Sequence, residues 1–470
     1  MNLTLQECAS ATNGEILSGN PELVIGELNT DSRQIKSGQT FLALVGDRFN
    51  GHDFLPQALA QGAQGLVISQ KDFAPSLLAR AKWVLLVENT TAALGCIARQ
   101  WKNQVSPKVV GITGSCGKTT VKEMTAHVCR EVFRVHATPG NFNNEIGLPI
   151  TLLQLQPEHS LAICEVGMNH AGELTRLTHI CEPHISVLTN VGDAHLGNFP
   201  SKEALRNAKA ELFHASALDT ILILGTDCPN ARLVLNDDLK GREVITFGTG
   251  AEAHVRATCI QTVGPQEIHF NLEYQENAVP VALNVFGQHQ IQNALATAAV
   301  ALQLGMKLEQ IAERLQTFRS SNQRSVLKKI GGITIIEDCY NASPTAVIQA
   351  LRSLKQQFPE QRLIGVLGEM QELGTYSETL HRKVGRECVA QKLSFVFTVG
   401  QKARWYKEEI SVLSSIPTLH VDYAEELMES VLPYLEENDV VIVKGSRTNK
   451  LELFISDLEN KFNGWETAVS

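Results

Sequence analysis

The chain has 470 residues, which at roughly 150 residues per domain predicts about three domains and excludes a single small module. Apolar residues make up 43% and charged residues 19%, with only 16 prolines, so each segment has enough apolar surface to offset ordering entropy and wholesale disorder is excluded. With 41 Lys and Arg against 50 Asp and Glu, the formal charge is −9, which lacks the basic footprint of a nucleic-acid binder and makes any phosphate site a local one. No apolar run approaches the ~18 residues of a membrane span, and MNLTLQECAS reads as neither signal nor anchor, so a cytoplasmic protein is expected. The ten scattered cysteines form no C-x-x-C pair and are expected to be reduced thiols.

Apolar runs alternate with amphipathic stretches along the chain, which predicts an α/β protein with largely parallel sheets. Residues 1–85 read as a small α/β domain, with strands at 40–46, 65–69 and 83–88 and a helix over 53–63. Residues 86–318 read as a central domain, with strands at 109–113, 161–167, 185–192 and 220–225. Within it, 267–274 and 279–287 alternate with period two, which predicts an antiparallel addition to the parallel sheet, and a helix follows that Gly305 closes. Residues 319–470 read as a doubly wound, Rossmann-like domain, with strands at 333–338, 362–368, 395–400 and 439–445 and Pro344 opening a helix.

The segment VVGITGSCGKTTVKEMTAHV is a strand, a glycine-containing turn and a helix, the context of a phosphate loop. Glycines let backbone N–H groups close around phosphate oxygens, the helix N-terminus adds positive partial charge, Lys118 reaches the terminal phosphates and Thr119 can ligate Mg²⁺. Nucleoside-triphosphate binding is therefore assigned to Thr113, Gly114, Ser115, Cys116, Gly117, Lys118, Thr119 and Thr120. The loop is a short variant, because Ile112 stands where the strict pattern has its first glycine. Such an enzyme needs an acid at a strand end to hold the metal, and LAICEVG supplies Glu165. Asp193 and His195 follow another strand. From chemistry alone Lys209, on a charged amphipathic helix, reads as a solvated lysine, and Arg324, Asp338, Lys444 and Arg447 each read as surface charges.

Together these segments resemble the Mur ligase family. TGSCGKTTVKEM resembles its T-G-x-x-G-K-T loop, NFNNEIGLP its Asn-rich segment, EVGMNHAGEL its strand acid and AHLGNFPSKEALRNAKAEL its His and Lys region. FGQHQIQNALA is similar to the segment that holds adenine, EDCYNASP to D-D-S-Y-N-A-N-P, KGSR to the C-terminal signature, and TDSRQIKSGQTFLALVGDRFNGHDF to the uridine-nucleotide domain. Gln290, Glu337, Cys339 and Ser343 depart from these patterns. LGEMQELG resembles the segment of the member that joins D-alanyl-D-alanine to UDP-N-acetylmuramoyl-tripeptide.

The resemblance implies an ADP-forming ligase of peptidoglycan precursor synthesis that works through an acyl phosphate, with ATP and Mg²⁺. It implies that Thr119 and Glu165 hold Mg²⁺, that His195 joins a second metal site and that Lys209 is carbamylated. Lys118, His195 and Lys209 are then the catalytic set. Asn293, Arg324 and Asp338 match positions near adenine, phosphates and ribose, with Tyr340 nearby. Thr30, Asp31, Ser32 and Arg33 are the uridine-nucleotide candidates, and Leu373 and His381 are candidate neighbours of the dipeptide. The partners expected are these small molecules, with no nucleic acid and no membrane span, on a monomeric chain. The alternatives are a ligase like folylpolyglutamate synthase, which lacks such an N-terminal domain, and a P-loop switch driven by nucleotide turnover.

Overall fold

Three sheets follow one another along the chain in a computed structural model that describes residues 1–320 and 323–468. The first sheet has five strands in the order Glu15–Ser18, Trp83–Leu86, Gly65–Ile68, Thr40–Leu42, Leu28–Asn29. Its first strand runs antiparallel to Trp83–Leu86 and the rest are parallel. The helix expected over 53–63 divides into a 3₁₀ turn, Gly51–Phe54, and a helix, Leu55–Ala60, with Pro56 in its first turn, where its missing N–H costs nothing.

The second sheet has nine strands. From one edge they run Val135–Ala137, Leu161–Glu165, Lys108–Thr113, Ile185–Leu188, Ile221–Gly225, Val244–Gly248, Val255–Gly264, Glu267–Tyr274 and Asn277–Leu283. The first seven are parallel, and the last two add an antiparallel meander at the edge, as the period-two pattern predicts. Helices Lys118–Cys129 and His289–Gln303 lie in one hydrophobic core with this sheet, through Val121, Met124, Ile291 and Leu295. Gly305, at φ +88°, follows the second of these helices.

Two apolar runs leave the sheet earlier than their sequence suggests. The run 185–192 stays in the ladder only to Leu188, and 161–167 only to Glu165. After Glu165 one more rung, the Val166 N–H on the Ile112 carbonyl at 2.9 Å, closes the ladder, and the next N–H, of Gly167, turns to the Asn143 carbonyl at 2.8 Å. The freed segments become walls of a cleft at the C-terminal strand ends, where ligand sites of parallel sheets form.

The third sheet has six strands in the order Val326–Ile330, Ile333–Glu337, Val440–Lys444, Leu363–Gly368, Phe395–Val399, Thr418–Val421. Only the first is antiparallel. Pro344 opens the helix Pro344–Gln357. No helix among the described residues is long and apolar enough to cross a membrane.

Candidate active site

The loop between the strand Lys108–Thr113 and the helix Lys118–Cys129 wraps on two glycines with positive φ, Gly114 at +149° and Gly117 at +82°. A Cβ at Gly114 would lie 2.0 Å from Thr189 Oγ1, and one at Gly117 would lie 2.4 Å from Asn293 Oδ1, so both positions exclude a side chain on space as well as on conformation. The segment freed after Leu188 clamps the loop from outside. Thr189 Oγ1 and Asn190 Nδ2 donate to the Cys116 carbonyl at 2.8 and 3.0 Å, Cys116 N–H donates to Asn190 Oδ1 at 2.9 Å, and Gly192 N–H donates to Ser115 Oγ at 2.8 Å. Lys118 folds back on its own loop and donates from Nζ to the Gly114 carbonyl at 2.7 Å. Burial pulls its ammonium below the usual lysine range, opposed by the Glu165 carboxylate.

Glu165 is buried at the end of its strand. Its carboxylate accepts from Thr119 Oγ1 at 2.7 Å on one oxygen and from Asn143 Nδ2 at 2.8 Å on the other, and its N–H donates to Thr138 Oγ1. Lys122, one turn beyond Lys118, lies 3.8 Å from the same carboxylate and donates to the Gly140 carbonyl. Among the described residues no three His, Cys, Asp or Glu side chains form a metal-holding cluster. A hydroxyl and a carboxylate beside a phosphate cradle suit Mg²⁺, which takes its other ligands from phosphate and water.

His195 sits on left-handed backbone at φ +65° and pairs through Nδ1 with the Glu372 carboxylate of the third domain. Burial holds its imidazole below the ordinary histidine range. Lys209 is fully buried on the helix Lys202–Ala215, close enough to Lys118 to feel its charge. Burial first, and Lys118 second, bring its amine down to about 7. Asp193 is taken up by Lys202 at 2.7 Å.

The cleft has a volume of about 850 Å³ and is shared by the second and third domains. Of the sequence candidates, Ser115 through Thr120, Glu165, His195, Asn293, Arg324, Asp338, Tyr340, Lys444 and Arg447 line it. Lys209 is close by but outside that lining, and so are Thr113 and Gly114. Arg324 lies over the Tyr340 ring, 4.0 Å from its centroid, a cation–π arrangement that presents a flat cationic surface. Lys444 Nζ donates to Asp338 Oδ2 at 2.7 Å and also reaches the Asn341 carbonyl. Asn293 donates to the buried Gln290, so the residue that departs from the family pattern still braces it. Cys116 Sγ lies 3.2 Å from Ser343 Oγ across the domain junction. The sequence did not single out Asn143, Lys122, Asn190 or Glu372 individually. Asn143 and Glu372 lay in the Asn-rich segment and in LGEMQELG, but nothing local told which residue of each segment faces the site.

Thr30, Asp31, Ser32 and Arg33 lie outside this cleft, on the first domain. Arg33 grips Asp31 with two bonds of 2.9 Å, and that contact holds the Asp31 carboxyl down at about 2. Ser32 donates to Gln57 Oε1. The two dipeptide candidates are corrected. His381 is wholly buried, with Nε2 accepting from Met370 N–H at 3.0 Å and Nδ1 on the Ser377 carbonyl at 2.7 Å, and Leu373 is 1% exposed. Both ring nitrogens of His381 are committed to the fold, which leaves it nothing to offer a ligand.

Residues 112–301 match the Mur ligase middle domain, 323–447 the Mur ligase glutamate ligase domain and 24–102 the Mur ligase family catalytic domain. The chain is similar to the UDP-N-acetylmuramoyl-tripeptide–D-alanyl-D-alanine ligase of Bacillus subtilis, 31% identical over 462 residues that cover 97% of this chain and 98% of that one. It is also similar to a crystal structure of MurF from Acinetobacter baumannii, with a TM-score of 0.90 at 30% identity over 98% and 99% of the two chains. MurF ligase from Thermotoga maritima in complex with ADP superposes with a TM-score of 0.84 at 27% identity, over 94% and 98%.

Proposed function

The chain belongs to the Mur ligase family, and we propose that it joins D-alanyl-D-alanine to UDP-N-acetylmuramoyl-tripeptide in an ATP-dependent, ADP-forming step of peptidoglycan precursor synthesis. The observation that carries this reading is the buried Thr119–Glu165 pair at the foot of a phosphate loop, in a cleft whose other wall is the LGEMQELG segment at Gln371 and Glu372. A carboxylate has no leaving group for amide formation. Bound ATP supplies one by phosphorylating it, after which the amine attacks and phosphate departs.

The chain's own residues then position and neutralise charge, which is most of what phosphoryl transfer asks of a protein. Backbone N–H groups of 114–120 orient the phosphates and Lys118 offsets their charge. Thr119 and Glu165 are suited to Mg²⁺, and His195 to a second cation. Lys209 suits carbamylation: at about 7 its amine is substantially neutral near neutral pH, and a neutral amine adds CO₂, forming the N–C bond and releasing one proton. That places an anion beside Lys118, which would suit it to hold a metal ion. Asn293 is assigned to adenine, Arg324 with Tyr340 to the phosphates and Asp338 to ribose. Thr30, Asp31, Ser32 and Arg33 are assigned to the uridine nucleotide. The first domain disfavours a folylpolyglutamate synthase-like activity. One chain builds the whole cleft, which supports a monomer, and the substrates support a cytoplasmic setting.

The test is incubation of the protein with ATP, Mg²⁺, UDP-N-acetylmuramoyl-tripeptide and D-alanyl-D-alanine, followed by mass analysis. The reading expects a product heavier by the dipeptide less one water, with ADP release that requires both acceptor and dipeptide. ATP turnover indifferent to both substrates, with no amide product, favours the P-loop switch.

A further inference from the structure

His195 and Glu372 are both non-glycine residues on left-handed backbone, at φ +65° and +62°, and they belong to different domains. Backbone strain of this kind persists only where the surrounding structure over-determines it, and it concentrates at functional sites. Here the two strained residues meet. The His195 ring pairs through Nδ1 with the Glu372 carboxylate, and two residues on, Gly197 N–H donates to the Glu372 carbonyl at 2.9 Å. The backbones touch with no room for a side chain between them. A Cβ on Gly197 would lie 2.2 Å from the Gly374 nitrogen, and one on Gly374 would lie 2.8 Å from Gly197 Cα. Gly197 needs no positive φ of its own, so what requires glycine there is the approach of the other domain. Nearby, the Tyr376 hydroxyl reaches the Pro200 carbonyl at 3.4 Å.

Both side chains line the cleft, and Glu372 is close enough to Lys118 for its charge to be felt there. Among the described residues the Glu372 carboxylate is the one group that His195 Nδ1 pairs with. A carboxylate behind a functional imidazole fixes its tautomer and orientation. Here that carboxylate arrives with the third domain, while the imidazole belongs to the second.

We infer that Glu372 is a positioning residue that orients His195 only while the third domain is docked on the second, so that the His195 side of the site is completed by domain closure. This inference rests on the ligase reading for its kinetic consequence but not for its geometry. Glu372 neither touches the phosphate loop nor replaces any group assigned above; it acts through His195. The part of the nucleotide site built on the loop and on the helix His289–Gln303 stands apart from it, whereas Arg324, Tyr340 and Asp338 arrive with the third domain as Glu372 does.

The test uses the full chain with Glu372→Ala, Glu372→Gln, His195→Ala and the double variant. Glu372→Ala is expected to lower kcat about 10- to 100-fold, with a smaller rise in KM for ATP because Arg324, Tyr340 and Asp338 are carried by the same domain. Glu372→Gln should restore most of that loss, because an amide oxygen still accepts from Nδ1–H. In a His195→Ala background, Glu372→Ala should cost nothing further, since it has no ring left to orient. Equal losses in both backgrounds, or no loss in either, overturn the inference. A second readout is the distance between labels at the exposed Leu218 and Val412, one on each domain. Gly197→Ala, which leaves Glu372 intact, and Glu372→Ala should both widen that distance. An unchanged distance in both contradicts the domain link even if the protein makes no amide, so failure of the ligase reading and failure of this inference are separable.

Discussion

The corner where the helix Thr90–Val105 meets Cys181 and Glu182, and the region beside the phosphate loop where the helix Lys202–Ala215 passes, each bury one lysine. Lys102 donates to Glu182 Oε2 at 2.6 Å and reaches the Cys181 carbonyl at 3.3 Å. Lys209 is also buried, but among the described residues no carboxylate pairs with it and the charge of Lys118 opposes its own. The two regions share a residue type and a degree of burial and differ in what accompanies the charge. A buried lysine with an acid is a structural cation. A buried lysine without one is held at the edge of neutrality, at about 7, and can react.

The largest break in that comparison comes from removing the amine at Lys209. Lys209→Met should lower ligation by about 10³-fold, the scale of losing a major electrostatic group from such a site. It should also raise the unfolding midpoint near neutral pH, because it deletes a buried charge that has no partner. The pH dependence has a definite sign. The folded value, about 7, lies below the ordinary lysine value of 10.5, so between them the unfolded chain holds more protons and native stability rises with pH. The stability advantage of Lys209→Met is therefore full below about 7 and shrinks as pH rises toward the ordinary lysine value. Calorimetry across that window checks it, and a gap independent of pH contradicts it. In Lys209→Ala, small carboxylates such as acetate should restore part of the activity.

Lys102→Met should do the opposite. It strips the bond from the Cys181 carbonyl and the charge from Glu182, and is expected to cost about 1–3 kcal/mol of stability while leaving kcat within about twofold. Denaturant melts and steady-state rates check both halves, and equal loss of activity and stability would erase the distinction. The smallest effect is expected on the first domain. Arg33→Ala should raise KM for the uridine nucleotide substrate about tenfold, roughly 1.4 kcal/mol, and leave KM for ATP unchanged.

Sequence patterns carried the phosphate loop and its acid, because Gly114, Gly117, Lys118 and Thr119 are neighbours and Glu165 follows an unbroken apolar strand. The antiparallel edge was legible for the same reason, since 267–274 alternates with period two. Strands of half-exposed, mixed residues were not, as in Val326–Ile330, Thr418–Val421 and the later part of Val255–Gly264. Residues whose work depends on distant chain were also missed. Asn143 bonds Glu165 only because Val135–Ala137 pairs with Leu161–Glu165, and Glu372 meets His195 only because two domains dock. His381 shows the converse error. A histidine a few residues past a characteristic segment looks like a neighbour of the ligand until both its nitrogens are found inside the fold.

The most direct measurement is a carbon-13 nuclear magnetic resonance spectrum of the full chain equilibrated with carbon-13 bicarbonate, beside the same spectrum of Lys209→Met. A neutral, unpaired amine at Lys209 predicts one carbamate carbon that grows as pH is raised through about 7 and is missing from the variant. No carbamate carbon at any pH, or one that survives in Lys209→Met, contradicts the claim that this lysine is left unpaired in order to react.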